Sequence, residues 1–376
     1  MRTSISFLLV LFLTVLPVAG CAQNSDGEQT IPGFSTNTAL RSIELSDLRS
    51  GGPPKDGIPS IDNPQFVSQE EAAAWLAGQE PVVLLRVGGA ARIYPLQILT
   101  YHEITNDEFK GVPVTVTFCP LCYSAIAFDR RVAADEGEMV LDFGVSGMLR
   151  NSDLVMYDRQ TETLWQQFTG EALVGDLLGT TLTYLPAQIV SFAQAREAHP
   201  DADVLSRETG HSRPYGNNPY AGYDDIDNAP FLFDGPENGR LPPLARVIAV
   251  KLPDAARAYP TDVTREHRVI HDTIGDQPVV VFHAEGAVTA LGQAVIAESR
   301  EVGSTGVFDP RLDEQSLTFS YVGNHFIDAE TGSTWNVLGE ATTGPLEGQH
   351  LTPIQFGDYF AFAWFAFRPE TSLYEE

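Results

Sequence analysis

The stretch Ala90-Ala91-Arg92-Ile93-Tyr94-Pro95 returns 165 residues later as Ala255-Ala256-Arg257-Ala258-Tyr259-Pro260. At the same spacing His102 meets His267, and Asp107 meets Asp272. Further on, Asp158-x-x-Thr161-x-Thr163-x-Trp165 is matched by Asp328-x-x-Thr331-x-Ser333-x-Trp335. Gly170-Glu171-Ala172, with Gly175, Leu177, Gly179 and Leu182, is matched by Gly339-Glu340-Ala341, with Gly344, Leu346, Gly348 and Leu351. Ordered matches of this number are not what a Gly-rich chain gives by coincidence, and self-similarity at a fixed distance marks a repeated structural unit. We therefore read an α+β, β-rich fold of two tandem, structurally similar halves from an internal duplication, residues 60–205 and 245–376, with a few short helices.

Each half has the same order of patterns. A β-branched run (Val82–Val87; Val247–Lys251) leads through a turn to the Tyr-Pro element, a helix or loop carries the histidine, and a second run (Val112–Phe118; Pro278–Phe282) follows. Hairpins come next, where Asp and Thr side chains accept backbone bonds in tight turns ahead of Trp165 and Trp335. The pattern predicts terminal helices over Pro186–Ala198 and Ile354–Phe367, stopped by His199-Pro200 and Arg368-Pro369. Ser68-Gln69-Glu70-Glu71 predicts a capping box ahead of the first half. Residues 206–244 carry Arg213-Pro214-Tyr215-Gly216-Asn217-Asn218-Pro219-Tyr220-Ala221-Gly222-Tyr223, too aromatic for a bare linker, and are expected to form an ordered loop over the joint.

The chain has 376 residues, with 23 Lys+Arg against 50 Asp+Glu and a formal charge of −27. That charge excludes nucleic acid as a partner, because binding it needs a basic surface that displaces counterions, and it disfavours anionic substrates. Arg2 precedes an apolar run from Ile5 to Val15, and Val18-Ala19-Gly20-Cys21 follows. One charge, a short apolar stretch and small residues before a cleavage point describe a secretory signal over residues 1–20. The tetrad ending in Cys21 resembles the lipobox of bacterial lipoproteins, whose cysteine becomes the lipidated first residue. Residues 21–59 then form a tether and N-terminal extension. The expectation is an extracytoplasmic acidic protein held at the cell envelope by a lipid anchor, so that its membrane partner is reached through Cys21.

Without Cys21 two cysteines remain, Cys119 and Cys122, in Thr117-Phe118-Cys119-Pro120-Leu121-Cys122. Two residues between thiols let both sulfurs face one centre, and Pro120 stiffens the turn. Three readings stay open: a transition-metal site, Zn or Cu; a redox pair; or a structural disulfide. A redox pair of the helix-opening kind is weakened by the strand-like run that follows. A metal needs further ligands. His102 is the first candidate, with His267, its repeat partner, and His283 as others. His283 aligns with Phe118 without a gap and with Cys119 after one, a step that reverses the face of a strand. Arg150, Asn151 and Asp153, with Arg213 and Tyr215, are candidates to line a pocket. Met148 and Met156 would suit Cu(I), though Met156 reads better as packed in a strand. No GxGxxG fingerprint, Walker loop, nucleophile elbow or HExxH motif occurs, so those enzyme classes are not supported.

Tyr94-Pro95, His102-Glu103-x-x-Asn106-Asp107, the Cys-Pro-Leu-Cys segment, Phe143-Gly-Val-Ser-Gly, Leu149 through Arg159, Leu164-Trp165-Gln166-Gln167 and the Tyr-rich stretch between the halves resemble an uncharacterised bacterial and archaeal family, the domain of unknown function 3179. The resemblance implies that the cysteine turn and His102 are family features, and it leaves the reaction open. The function expected from the sequence is an envelope lipoprotein that binds a transition metal. An extracytoplasmic thiol–disulfide oxidoreductase and a non-catalytic binding or assembly module are the alternatives.

Overall fold

The computed structural model describes residues 30–134, 137–236, 238–313 and 315–375. The signal segment and Cys21 lie outside them. The fold is β-rich, with five short helices among the described residues: α1 (Gln69–Ala72), α2 (Leu96–His102), α3 (Phe192–Ala198), α4 (Thr261–His267) and α5 (Ala361–Phe367). No helix among the described residues is long and apolar enough to cross a membrane.

Before residue 206 the main sheets are three. Ala187–Ser191, Pro81–Val87, Ala90–Pro95, Asp203–Leu205 and Phe66–Val67 form the first, in that order. Thr183–Leu185, Ser124–Asp129, Val112–Cys119 and Ile104–Phe109 form the second. The third runs Arg49–Ser50, Phe143–Arg150, Asp153–Asp158, Leu164–Gln166 and Ala172–Val174. After residue 244, the sheet Phe356–Phe360, Arg246–Lys251, Ala256–Pro260 and Ser372–Leu373 has the strand order of the first. In both, the Tyr-Pro strand pairs in parallel with a late strand, Arg92 opposite Asp203 and Arg257 opposite Ser372. The Tyr94 hydroxyl donates to Asp107 at 2.6 Å, as Tyr259 does to Asp272 at 2.8 Å. Asp158 and Asp328 each accept from the indole N–H of the tryptophan seven residues on, at 2.9 Å.

The capping box at Ser68 forms, with Glu71 returning the bond to the Ser68 backbone. The two terminal helices are shorter than expected. Ala187–Ser191 and Phe356–Phe360 are strands, and helix begins only at Phe192 and Ala361. Both strands find full partners, Ala187–Ser191 beside Pro81–Leu85 and Phe356–Phe360 beside Arg246–Val250, and that ladder overrides helical propensity.

One apolar core joins residues from both sides of the loop. Phe118, Cys119, Cys122 and Tyr123 share it with Val247, Ala249, Phe360 and Trp364. Tyr215, Tyr220, Tyr223 and Phe233 of residues 206–244 pack onto it. The Asn218 N–H donates to Ala294 O at 2.8 Å, which ties the loop to the second half.

Candidate metal centre

Strands Val112–Cys119 and Ser124–Asp129 form a hairpin in which Cys119 faces Ser124 across the ladder. Residues 120–123 are its turn, closed by the Cys122 N–H to Cys119 O and the Tyr123 N–H to Pro120 O, both at 3.3 Å. Tyr123 sits at φ 55, a left-handed conformation costly for an aromatic residue, so its surroundings must hold it there. They do so from the second half. The Phe360 N–H donates to Cys122 O at 3.0 Å, and the Ala290 N–H donates to the Tyr123 hydroxyl at 3.1 Å. The Arg246 guanidinium lies 4.2 Å from the centre of the Tyr123 ring while it pairs with Asp358. The loop adds a last tie, the Tyr223 hydroxyl donating to Leu121 O at 3.1 Å.

A second hairpin brings the third group. Asn151 and Ser152 both have positive φ, 52 and 64, the geometry of a tight two-residue turn whose twist suits a hairpin. In the resulting register Arg150 faces Asp153, and Asp153 is fully buried. Its Oδ2 accepts from Gln166 Nε2 at 2.6 Å and from the Phe168 N–H at 3.0 Å. Its Oδ1 meets no N–H or O–H donor, and the carboxyl's further bonds come from the thiols of Cys122 and Cys119.

The sulfurs of Cys119 and Cys122 and a carboxylate oxygen of Asp153 all lie within 4.8 Å of one another, and all three residues are buried. Both cysteines are free thiols. Burial raises the Asp153 carboxyl to about 7, against the pull of its Gln166 and Phe168 bonds. Burial also raises both thiols, Cys122 the more strongly because Cys119 and Asp153 add to the effect. Without an ion, both thiols keep their protons at neutral pH, while the Asp153 carboxyl titrates there. Two thiolates and a carboxylate are ligands of the kind that bind a divalent transition metal, so the group could hold a metal ion.

The chain belongs to the DUF3179 family. The matching family model, described as a protein of unknown function, covers residues 55–371, which include all three residues of the cluster. Comparisons with curated proteins and with solved structures returned no match.

Among the described residues of this DUF3179 chain, no histidine joins the cluster. His102 ends α2, with Nδ1 2.7 Å from Pro59 O and Nε2 2.6 Å from the Tyr215 hydroxyl, so both ring nitrogens are engaged. Burial lowers its pKa to about 4, which keeps the ring neutral. His267 is exposed at the end of α4. His283 is buried in its own strand with Nδ1 3.0 Å from Thr305 Oγ1, and Gly303 packs against its Nε2 edge. The third group beside the two sulfurs, which the sequence sought in an imidazole, is the carboxylate of Asp153, which the sequence ranks only as a pocket candidate. Of the other candidates, Tyr215 holds His102, and Arg213 is exposed. Asn151 forms the turn, and Arg150 donates to Gln166 Oε1 at 3.2 Å, one step behind Asp153. Met156 is buried in its strand, while Met148 lines the cavity described next.

A cavity of about 340 Å³ adjoins the cluster, with Leu121, Leu154 and Glu103 among its lining residues. Sequence reading missed Glu103. It follows α2 at φ 59 and is only 7% exposed. Burial first, then the nearby Asp153, raises its carboxyl to about 8. The signal for Asp153 was a charged residue opening the otherwise apolar run Leu154–Tyr157 directly after a turn. Nothing local in the sequence marks Glu103 as buried.

Proposed function

We propose that this protein binds one transition-metal ion through Cys119, Cys122 and Asp153, and does so at the outer face of a cell membrane. The observation that carries the reading is the buried trio of ligating atoms, in which Asp153 Oδ1 meets no N–H or O–H donor and the carboxyl turns to the two thiols. A thiol is only a weak donor to a buried carboxylate, and an ion shared with two thiolates gives that carboxylate a far stronger partner. The mixed sulfur and oxygen set favours Zn over Cu(I), which prefers soft donors alone. Three protein ligands leave one tetrahedral position for water or a substrate oxygen. The Val18-Ala19-Gly20-Cys21 tetrad supports the lipid anchor, with residues 21–59 as tether and extension. The recurrent strand orders and the matched Tyr–Asp and Asp–Trp bonds support two halves of one duplicated plan, in which the second half clamps the cysteine turn of the first. Elemental analysis of anaerobically purified protein tests the metal: about one ion per chain is expected, lost in Cys119→Ser and strongly reduced in Asp153→Asn. Metal-free protein with two titratable thiols would refute it.

A thiol oxidoreductase is the second reading, favoured by two free thiols in one turn beside an acid able to accept a proton. Against it stands the upward shift of both thiols, because exchange needs a thiolate. A mixed disulfide trapped by Cys122→Ser would support it over the metal.

A further inference from the structure

The cavity beside the cluster is walled chiefly by hydrocarbon, including Val145, Met148, Leu149 and Phe231. Two polar groups stand out in it. Glu103 has no hydrogen-bond partner for its carboxyl among the described residues, although it is 93% buried, and the Tyr220 hydroxyl has none either. Tyr223, by contrast, uses its hydroxyl on Leu121 O and the Phe231 N–H. No basic side chain lines the space, so an anion would find no countercharge and would face the acid Glu103.

We infer that this cavity is a binding site for a small, uncharged, mainly hydrocarbon molecule bearing a carbonyl-type oxygen, which accepts hydrogen bonds from the Glu103 carboxylic acid and the Tyr220 hydroxyl. The lining gives neither group a basic partner, and burial raises both above their ordinary ranges, which favours their protonated forms. Both are therefore donors waiting for an acceptor. An organic cation would require an ionised Glu103 in the same buried space as Asp153. The size falls within the range of small-molecule pockets, which are mostly apolar with a few placed polar groups. The inference goes beyond the metal and does not depend on it.

The neutral ketone fluorophore Prodan, dimethylaminonaphthalene as its ketone-free counterpart, and naphthylmethylammonium as a cation of similar body form the test set. Each is titrated into full mature protein, once zinc-loaded and once chelator-treated. Expected is one saturable site for Prodan in both forms, with weaker binding of the ketone-free compound. Glu103→Leu should weaken Prodan binding about tenfold, the loss of one buried hydrogen bond, while Glu103→Gln, still a donor, should stay within about threefold. Met148→Trp, with an unchanged circular dichroism spectrum, should fill the space and abolish binding. Three results would overturn the inference: no saturable binding, equal affinity for the ketone-free compound, or preference for the ammonium. Zinc retained while Prodan fails to bind would sink the cavity alone, whereas Prodan bound by protein that takes up no zinc would sink the metal alone.

Discussion

An ion can enter the Cys119–Cys122–Asp153 cluster only as protons leave it, and the burial of each group fixes how many. Asp153 holds its proton up to about pH 7, and both thiols hold theirs beyond the ordinary thiol range. Each proton displaced makes the apparent dissociation constant fall by one power of ten per pH unit. Below pH 7 three protons leave, so zinc affinity should rise about 1000-fold per pH unit; just above it only the thiols contribute, and the rise should be about 100-fold. Glu103, raised to about 8, keeps its proton below that value and leaves the lower slope unchanged. Asp153→Asn has no carboxyl proton to lose, so its slope should be about 100-fold per unit on both sides, and the break near pH 7 should vanish. Its affinity should also be lower throughout, because an amide oxygen replaces an anionic ligand. Competition with a chelator of known zinc affinity, under reducing and anaerobic conditions between pH 5.5 and 8, measures both slopes. A native slope of tenfold or less per unit below pH 7, or a break that persists in Asp153→Asn, would refute the three-ligand cluster.

The same carboxyl sets the pH dependence of the metal-free fold. Its folded pKa lies above its unfolded one, so its contribution is present near pH 4 and is lost as pH rises through about 7. In that window the native chain should lose about 1.4 kcal/mol per pH unit relative to Asp153→Asn; parallel stability curves for the two would contradict this. Arg246→Met leaves Asp358 buried without its cation and removes the guanidinium from the Tyr123 ring. Denaturant unfolding should show a loss of about 3–5 kcal/mol, with weaker zinc binding, and a loss below about 1 kcal/mol would mean that the clamp is not needed. His102→Gln should keep about one ion per chain, as measured by elemental analysis, since its ring nitrogens are engaged by Pro59 and Tyr215. Loss of the metal there would return an imidazole to the ligand set.

Strands whose burial follows from their own composition were legible before any coordinates. Val82–Val87 and Val112–Phe118 lie within the observed strands to within one residue at each end, because β-branched runs bounded by turn residues carry their own period. The turn chemistry was equally local, as Asp158 and Asp328 accept from the Thr N–H three residues on, both at 2.6 Å. The strands Ala187–Ser191 and Phe356–Phe360 were not legible, because what makes them strands is a partner about a hundred residues away. The cysteine turn belongs to the local class, and the identity of its third partner to the distant one. Asp153 reaches the sulfurs because an Asn-Ser turn sets its register and a second hairpin packs on the first. His102, recurrent and close in sequence, was the more conspicuous candidate, but its nitrogens are spent on the N-terminal extension and the loop.

The buried acids differ in how fully the fold satisfies them. Asp107 is held by Arg92 and Tyr94, Asp224 by Arg300 and Thr289, Asp129 by Arg131, and Glu340 by His199 and Asn336. Asp158 and Asp328 have no cation, but Thr and Trp donors occupy their oxygens. Glu80 accepts from the Ala77 N–H and Gln97. Asp153 and Glu103 break this pattern: one oxygen of the first meets no N–H or O–H donor, only the carboxyl's bonds from the two thiols, and the carboxyl of the second opens on the cavity. A fold that satisfies its other buried acids so consistently leaves these two as the exceptions. They lie beside the two thiols and the cavity, where an ion could complete Asp153 and a bound acceptor could complete Glu103. Acids that burial holds near neutrality, beside two thiols and next to a cavity, are the ground on which a site is proposed here and not elsewhere in the fold.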